Sequence, residues 1–132
     1  KLGICRGSQL VTAMSGGKII QHVENHDKNH IMQTINNSIY NVTSTHHQMM
    51  FPYNLRKESY KILGWSEKYR SNVYLNGNNK QIKLPNDFLE PEIVYYNNTN
   101  SLAIQYHPEY SSCNKDTVEF TKKLIKDYAK NK

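Results

Sequence analysis

A cysteine set between two glycines, in the opening stretch "KLGICRGSQL", leaves few folds open to this chain. "LGI" is a scrap of apolar strand, and "SQLVTAM" reads as a short helix with Leu10, Val11 and Met14 on one side, closed by Gly16 and Gly17. A strand that turns at once into a helix holds its apex residue in a strained backbone conformation. Small neighbours let the chain cross itself there, and Gly3 and Gly7 meet that need. The apex side chain, Cys5, then projects above the sheet, where the helix aims its free N–H groups and the positive end of its dipole. A thiol so placed loses its proton more easily, and the thiolate is the nucleophile. Arg6 adds a positive charge, and its backbone N–H is positioned to donate to an oxyanion. Taken alone, the turn also accommodates a buried structural cysteine.

The rest of the chain supplies partners for such a turn. "KIIQHV" is extended and "ENHDKNH" is polar loop; "SIYNVT" and "YKILGW" read as strands. "VYLNGNNKQIKL" carries Asn-Gly between two β-type runs, a hairpin signal, and "EIVYY" and "SLAIQYH" are strands separated by the turn-former "NNTN". From Lys115 onward, Phe120, Leu124 and Tyr128 share one helical face, with Val118 and Ile125 beside it. Strand, helix, several strands and a closing helix predict an α/β fold resembling the second half of a domain.

A nucleophilic cysteine needs a base, and the base needs an orienting group. "YHPE" offers both: His107 closes an alternating strand and Glu109 follows two residues later. In extended chain that spacing returns both side chains to one side, and Pro108 stops the ladder there. "HPE" alone reads more readily as a plain loop. If the first and last strands are parallel neighbours, Cys5, His107 and Glu109 meet at the sheet edge where α/β folds bind ligands.

The motifs in order, "GICRGSQ" and "IQYHPE", resemble the class I glutamine amidotransferase superfamily, and the resemblance runs from Leu2 to the last helix. "GGKIIQHV" resembles the segment after the elbow helix. "TSTHHQ" resembles the Asn-Ser-x-His-His-Gln segment of the γ-glutamyl hydrolase branch, which cleaves γ-glutamyl amides and serves no synthetase. The resemblance implies a flavodoxin-like domain whose C-terminal portion fills residues 1–132 as a single, partial domain, with a mostly parallel sheet flanked by helices and a β-hairpin insertion. It implies Cys5 as nucleophile, His107 as base, Glu109 as its orienter and Arg6 as an oxyanion donor. Gln9 and the residues around Ser44, His46, His47 and Gln48 would contact the glutamyl head group. The implied substrate is glutamine or a γ-glutamyl amide, with no metal and no organic cofactor. Thr43 stands where the branch has asparagine and Tyr106 where tryptophan is common, and the connection "NVYLNGNNKQIKLPNDFLEPE" is longer than usual. The family's domain starts several strands earlier, and a glycine-rich loop there supplies the second oxyanion donor. The expectation is therefore a fragment, a split gene or a truncated gene model.

Two other readings belong to different classes: a glutaminase component that passes ammonia to a synthetase partner, and a non-catalytic remnant kept as a binding module. Composition adds exclusions. The net charge of +6 raises the question of a polyanion, but its densest run, "KKLIKDYAKNK", fits the solvated face of a last helix, so no nucleic-acid partner is expected. No run of about 18 apolar residues occurs, so no membrane span is expected. Sixteen asparagines dilute the apolar content and share A/T-rich codons with lysine, isoleucine and tyrosine, a sign of genome bias. Cys5 and Cys113 make no disulfide framework, and a reducing, cytoplasmic setting follows as the default. His22, His26 and His30 fall four apart, but Asn25, Asp27 and Asn29 favour loop over a helical metal stripe. Adjacent His46 and His47 point apart on a strand, so at most one is expected to face the pocket.

Overall fold

The chain is known from a computed structural model, which describes residues 1–110 and 113–129. Strand β1 (Leu2–Ile4) leads into helix α1 (Arg6–Met14), as the glycine-flanked cysteine predicts. Gly16 adopts φ 92° just past the helix, and the Gly17 N–H closes on the Thr12 carbonyl at 2.9 Å, so the glycine pair ends α1 as expected. The strands that follow are β2 (Lys18–Ile20), β3 (His22–Val23), β4 (His30–Thr34), β5 (Ile39–Val42), β6 (Met49–Phe51), β7 (Tyr60–Ser66), β8 (Tyr74–Leu75), β9 (Pro91–Tyr96) and β10 (Ser101–Ile104). Helix α2 (Lys115–Ala129) closes the described chain, and the last residues of the lysine-rich run, 130–132, lie outside the described residues.

Six strands form one sheet in the order β1-β10-β9-β7-β4-β5, with small two-stranded sheets β2-β6 and β3-β8 beside it. The α/β architecture is as expected, and the strand directions refine it. β1 runs parallel to β10, pairing Ile4 with Ile104, while the other pairs of this sheet are antiparallel. Connection length explains two of the antiparallel pairs. β9 and β10 are joined by the Asn97–Asn100 turn, and β4 and β5 by a turn with Asn37 at φ 64°, and such short links permit only antiparallel neighbours. β1 and β10 are separated by most of the chain, which leaves parallel pairing open. The expected hairpin insertion is present, since Leu75 bridges Gln81 and the Asn76 N–H meets the Lys80 carbonyl at 2.9 Å. The left-handed residue in its loop is Asn79, φ 58°, rather than Gly77.

The sheet carries a helix on each face. Leu102, Ile104 and Ile93 point to one side with Met32, Val42, Leu63 and Tyr106, where Phe120, Leu124, Ile125 and Tyr128 of α2 cover them. Ala103, Val94 and Tyr96 point to the other side, against Val11 of α1 and Met50. The alternation is the period of two of an extended strand, and Leu102, Ala103 and Ile104 are apolar in succession because both faces of β10 are buried. The expected face of α1 is corrected. Of that face Val11 is buried as expected, but Leu10 and Met14 are 62% and 55% exposed, and the helix buries Ser8, Gln9 and Thr12 beside Val11. Thr12 hydrogen-bonds the Tyr96 hydroxyl at 2.6 Å, so a polar contact seats the helix. Strands β4 and β6 were not legible as strands. "HIMQT" mixes polar and apolar residues, and "MMF" is too short to show a period.

Candidate active site

Cys5 sits at the junction of β1 and α1 with φ 52° and ψ −109°, a conformation that L residues adopt only under constraint. The constraint is visible. Its N–H donates to the Ile104 carbonyl at 2.7 Å, and its carbonyl accepts the Ser8 N–H at 2.9 Å. A Cβ at position 3 would lie 2.2 Å from the Gly7 carbonyl oxygen, so the crossing demands glycine there. A Cβ at Gly7 would meet nothing within 4 Å, so the expected need for a second small residue does not hold sterically. Cys5 is half-buried, and burial pushes its thiol above the ordinary range, aided by the Glu109 charge. The Arg6 backbone N–H, the Arg6 guanidinium and Gln105 pull the other way without overcoming burial. The expected easy loss of the proton is thus corrected: dehydration outweighs the helix terminus.

His107 stands past the end of β10, two residues beyond Gln105, which neighbours Cys5 in the parallel register. Its Nδ1 lies 2.8 Å from Glu109 Oε2. The contact expected from an extended chain is made, but through a turn, with the Tyr110 N–H folding back toward the His107 carbonyl. Burial works to raise the Glu109 carboxyl, yet the bond from His107 leaves it below the usual range. The imidazole stacks on Tyr110, centroids 4.2 Å apart and planes within 2°. Thr43 accepts the His107 N–H on its carbonyl at 3.2 Å and donates its hydroxyl to the His107 carbonyl. Thr43, noted only as a departure from the family pattern, therefore clamps the histidine. Tyr106, the other departure, is buried with its hydroxyl 2.8 Å from Thr121 Oγ1 of α2.

A cavity of about 330 Å³ opens beside the thiol, walled by Cys5, Arg6 and Gln9 on one side and by Thr45 to Gln48 with Gln21 on the other. Of the predicted head-group residues, Gln9, His46, His47 and Gln48 are brought together there. Gln9 Nε2 donates to the Gln48 carbonyl at 3.3 Å and Gln48 Nε2 to Gln21 Oε1 at 3.0 Å, tying the two walls. Ser44 is not in the wall; its hydroxyl donates to the His26 carbonyl. The single-facing histidine expectation is corrected too, since His46 is buried and His47 exposed, yet both reach the cavity. His107 does not line this cavity, and Glu109 lines a separate groove with Tyr110 and Cys113. Cys113 is half-buried, and burial raises its thiol despite hydrogen bonds with Thr43.

Two features escaped the sequence reading. Gln105 is buried, with its Nε2 3.5 Å from the Cys5 carbonyl and 4.0 Å from Sγ, so it touches the elbow from the neighbouring strand. Glu90 and Glu92 are also buried, gathered with His26, His30 and His46. The signal for the carboxylates was present: two glutamates flank Pro91 at the head of an otherwise apolar strand, where charge is unusual. The three histidines spaced four apart divide, with His26 and His30 inside the cluster and exposed His22 on β3 outside it.

Comparison with known proteins is consistent with this geometry. The family model described as glutamine amidotransferase class-I matches residues 1–127. Among solved structures, a GMP synthase-type subunit from Thermoplasma acidophilum matches with TM-score 0.57 and 16% identity, over 86% of this chain and 49% of that one. A glutamine amidotransferase from Thermotoga maritima matches with TM-score 0.55 and 17% identity, over 98% of this chain and 46% of that one. The chain thus spans about half the length of these structures. No curated protein matches.

Proposed function

The chain belongs to the class I glutamine amidotransferase family, and from that premise we propose that it hydrolyses the γ-amide of glutamine or of a γ-glutamyl compound through a thioester on Cys5. His107 Nδ1 is committed to Glu109, which leaves Nε2 as the base. Nε2 takes the thiol proton as Sγ attacks the amide carbon, and the Arg6 N–H donates to the developing oxyanion. The imidazolium returns that proton to the departing amine as the C–N bond breaks. Water, deprotonated by the same imidazole, then cleaves the thioester, releasing glutamate and the free thiol. A raised thiol pKa suits this sequence, because the proton leaves with the base during attack.

The observation that carries the proposal is the strained apex thiol at the end of β1, parallel to the strand whose continuation bears a carboxylate-held imidazole. The γ-glutamyl hydrolase branch draws support from "TSTHHQ", whose His46, His47 and Gln48 wall the cavity opposite Cys5. The test is mass spectrometry of the full chain after treatment with 6-diazo-5-oxo-norleucine, a glutamine-like electrophile. One adduct on Cys5 is expected, absent in Cys5→Ala and formed about 10²–10⁴-fold more slowly in His107→Asn. An unlabelled full chain, or label that persists in Cys5→Ala, would overturn the reading.

The ammonia-donor reading has its own support. One structural neighbour is described as part of a GMP synthase, and α1 exposes Leu10 and Met14 beside the elbow. A donor would co-purify with a synthetase and be stimulated by that enzyme's substrates, whereas a hydrolase would turn over unaided.

A further inference from the structure

Behind the cavity wall, His26, His46 and Glu92 gather in the interior and each leaves one polar atom unpartnered among the described residues: His26 Nδ1, His46 Nε2 and Glu92 Oε1. His26 Nδ1 lies 3.6 Å from the other Glu92 oxygen, Oε2. The three residues are 0%, 4% and 0% exposed. The ligand atoms of these residues lie within 4.8 Å of one another. The surrounding bonds show which atom of each side chain is left over. Glu90 accepts the Arg70 and Ser71 N–H groups at 2.8 and 3.1 Å and the Tyr74 hydroxyl at 2.7 Å, so it is ionised. His26 Nε2, 3.0 Å from Glu90 Oε1, is therefore the donor of that pair, and Nδ1 is the ring atom left over for a ligand. His46 Nδ1 faces the Gln48 carbonyl, which can only accept, so Nε2 is likewise left over. Glu92 Oε2 receives His30 Nε2 at 2.9 Å, and Oε1 receives nothing.

We propose that His26, His46 and Glu92 form a binding site for one divalent transition-metal cation of the zinc type. Three converging acceptors in a buried space need a positive centre, since each left bare costs about 1–3 kcal/mol. Two imidazoles and one carboxylate are a donor set that Zn²⁺ takes with three protein ligands and one open position. The Glu90 carboxylate holding the far nitrogen of His26 is the outer-shell partner that ligating histidines have. Bond lengths of about 2.0–2.2 Å ask the three atoms to close in by roughly an ångström. His30 serves a different purpose: its Nδ1 donates to the Lys28 carbonyl at 3.0 Å while Nε2 holds Glu92, so it orients the carboxylate.

The cation would join three segments distant in sequence: the loop carrying His26, the segment carrying His46 and strand β9 carrying Glu92. The His46 N–H already donates to the His26 carbonyl at 3.1 Å, so the first two are adjacent. Holding His46 also holds its neighbours His47 and Gln48 in the wall of the cavity beside Cys5. This inference does not rest on the proposed hydrolysis.

The experiment is elemental analysis of the full chain, purified without chelator or metal-affinity resin, followed by Zn²⁺ and Co²⁺ titration of chelator-treated protein. The expected results are about one equivalent of metal per chain, a rise in Tm on adding Zn²⁺, and loss of both in His46→Gln and Glu92→Gln. Glu90→Gln should weaken Zn²⁺ about 10–100-fold, while His22→Gln, at an exposed histidine outside the cluster, should leave it unchanged. If the ligand variants do not fold, Co²⁺-loaded wild type supplies the readout: paramagnetically shifted proton signals from two imidazole rings. Wild type that holds no stoichiometric metal and shows no response of Tm to either cation would overturn the proposal, and would mean that a proton on His26 or a buried water fills the space. Uptake abolished by His22→Gln but kept by His46→Gln would overturn it equally.

Discussion

At Cys5 two influences oppose each other. The helix terminus and Arg6 favour the thiolate, while burial and the Glu109 charge favour the thiol, and burial is the largest. A thiol raised above its ordinary 9.0 is mostly protonated at neutral pH, so its alkylation by iodoacetamide should climb with pH through and beyond 9. Glu109→Gln removes a negative neighbour, which favours the thiolate, and should move that profile to lower pH. Peptide mapping that separates Cys5 from Cys113 gives both curves; a plateau already reached below neutral pH would contradict this account. The strained turn at Gly3 and Cys5 and the His107–Glu109 contact were legible, because the elbow and "HPE" each rest on local geometry. Gln105 and Thr43 were not. Their roles come from contacts with Cys5 and with the His107 backbone, and nothing in "IQYH" or "NVTS" marks them.

Helix α1 shows how an element can be found by its ends and misjudged by its face. Gly16 stops it as the sequence predicts, but the apolar side chains Leu10 and Met14 stand in solvent while Thr12 is buried. Thr12 Oγ1 lies 2.8 Å from the Ser8 carbonyl and 2.6 Å from the Tyr96 hydroxyl, with both residues inaccessible. Thr12→Val leaves the Tyr96 hydroxyl unpaired in the interior and should cost about 1–3 kcal/mol. Tyr96→Phe removes the same bond, so the double variant should lose less than the sum of the two singles. Urea unfolding of the four proteins measures this, and strict additivity would show that the bond does not couple helix to sheet.

Across the whole molecule, protection from solvent is uneven. β10 and β9 lie inside the main sheet with a helix on each face, whereas β5 and β1 stand at its two margins among the described residues. Ile39 of β5 and Leu2 of β1 are 60% and 48% exposed. Native-state amide exchange should therefore be slowest for Ile93, Val94, Ala103 and Ile104, and faster along β5 and β1. Exchange in β5 as slow as in β10 would contradict a core centred on β9 and β10. No helix among the described residues is long and apolar enough to cross a membrane.

The amino-acid order alone determined the features encoded within a few residues: the cysteine elbow, the turn-forming asparagines, the strand at Ser101–Ile104 and the amphipathic closing helix. Turn chemistry and periodicity act over short stretches, so they can be read without knowing what packs against them. Tertiary structure alone decided which strands are neighbours and in which direction, because pairing depends on connections across the whole chain. It alone brought His26, His46 and Glu92 together. Nineteen residues separate the two histidines and forty-five more precede the glutamate, and no local rule relates positions so far apart. Burial itself, which raises the Cys5 thiol and encloses the cluster, is a property of the folded interior.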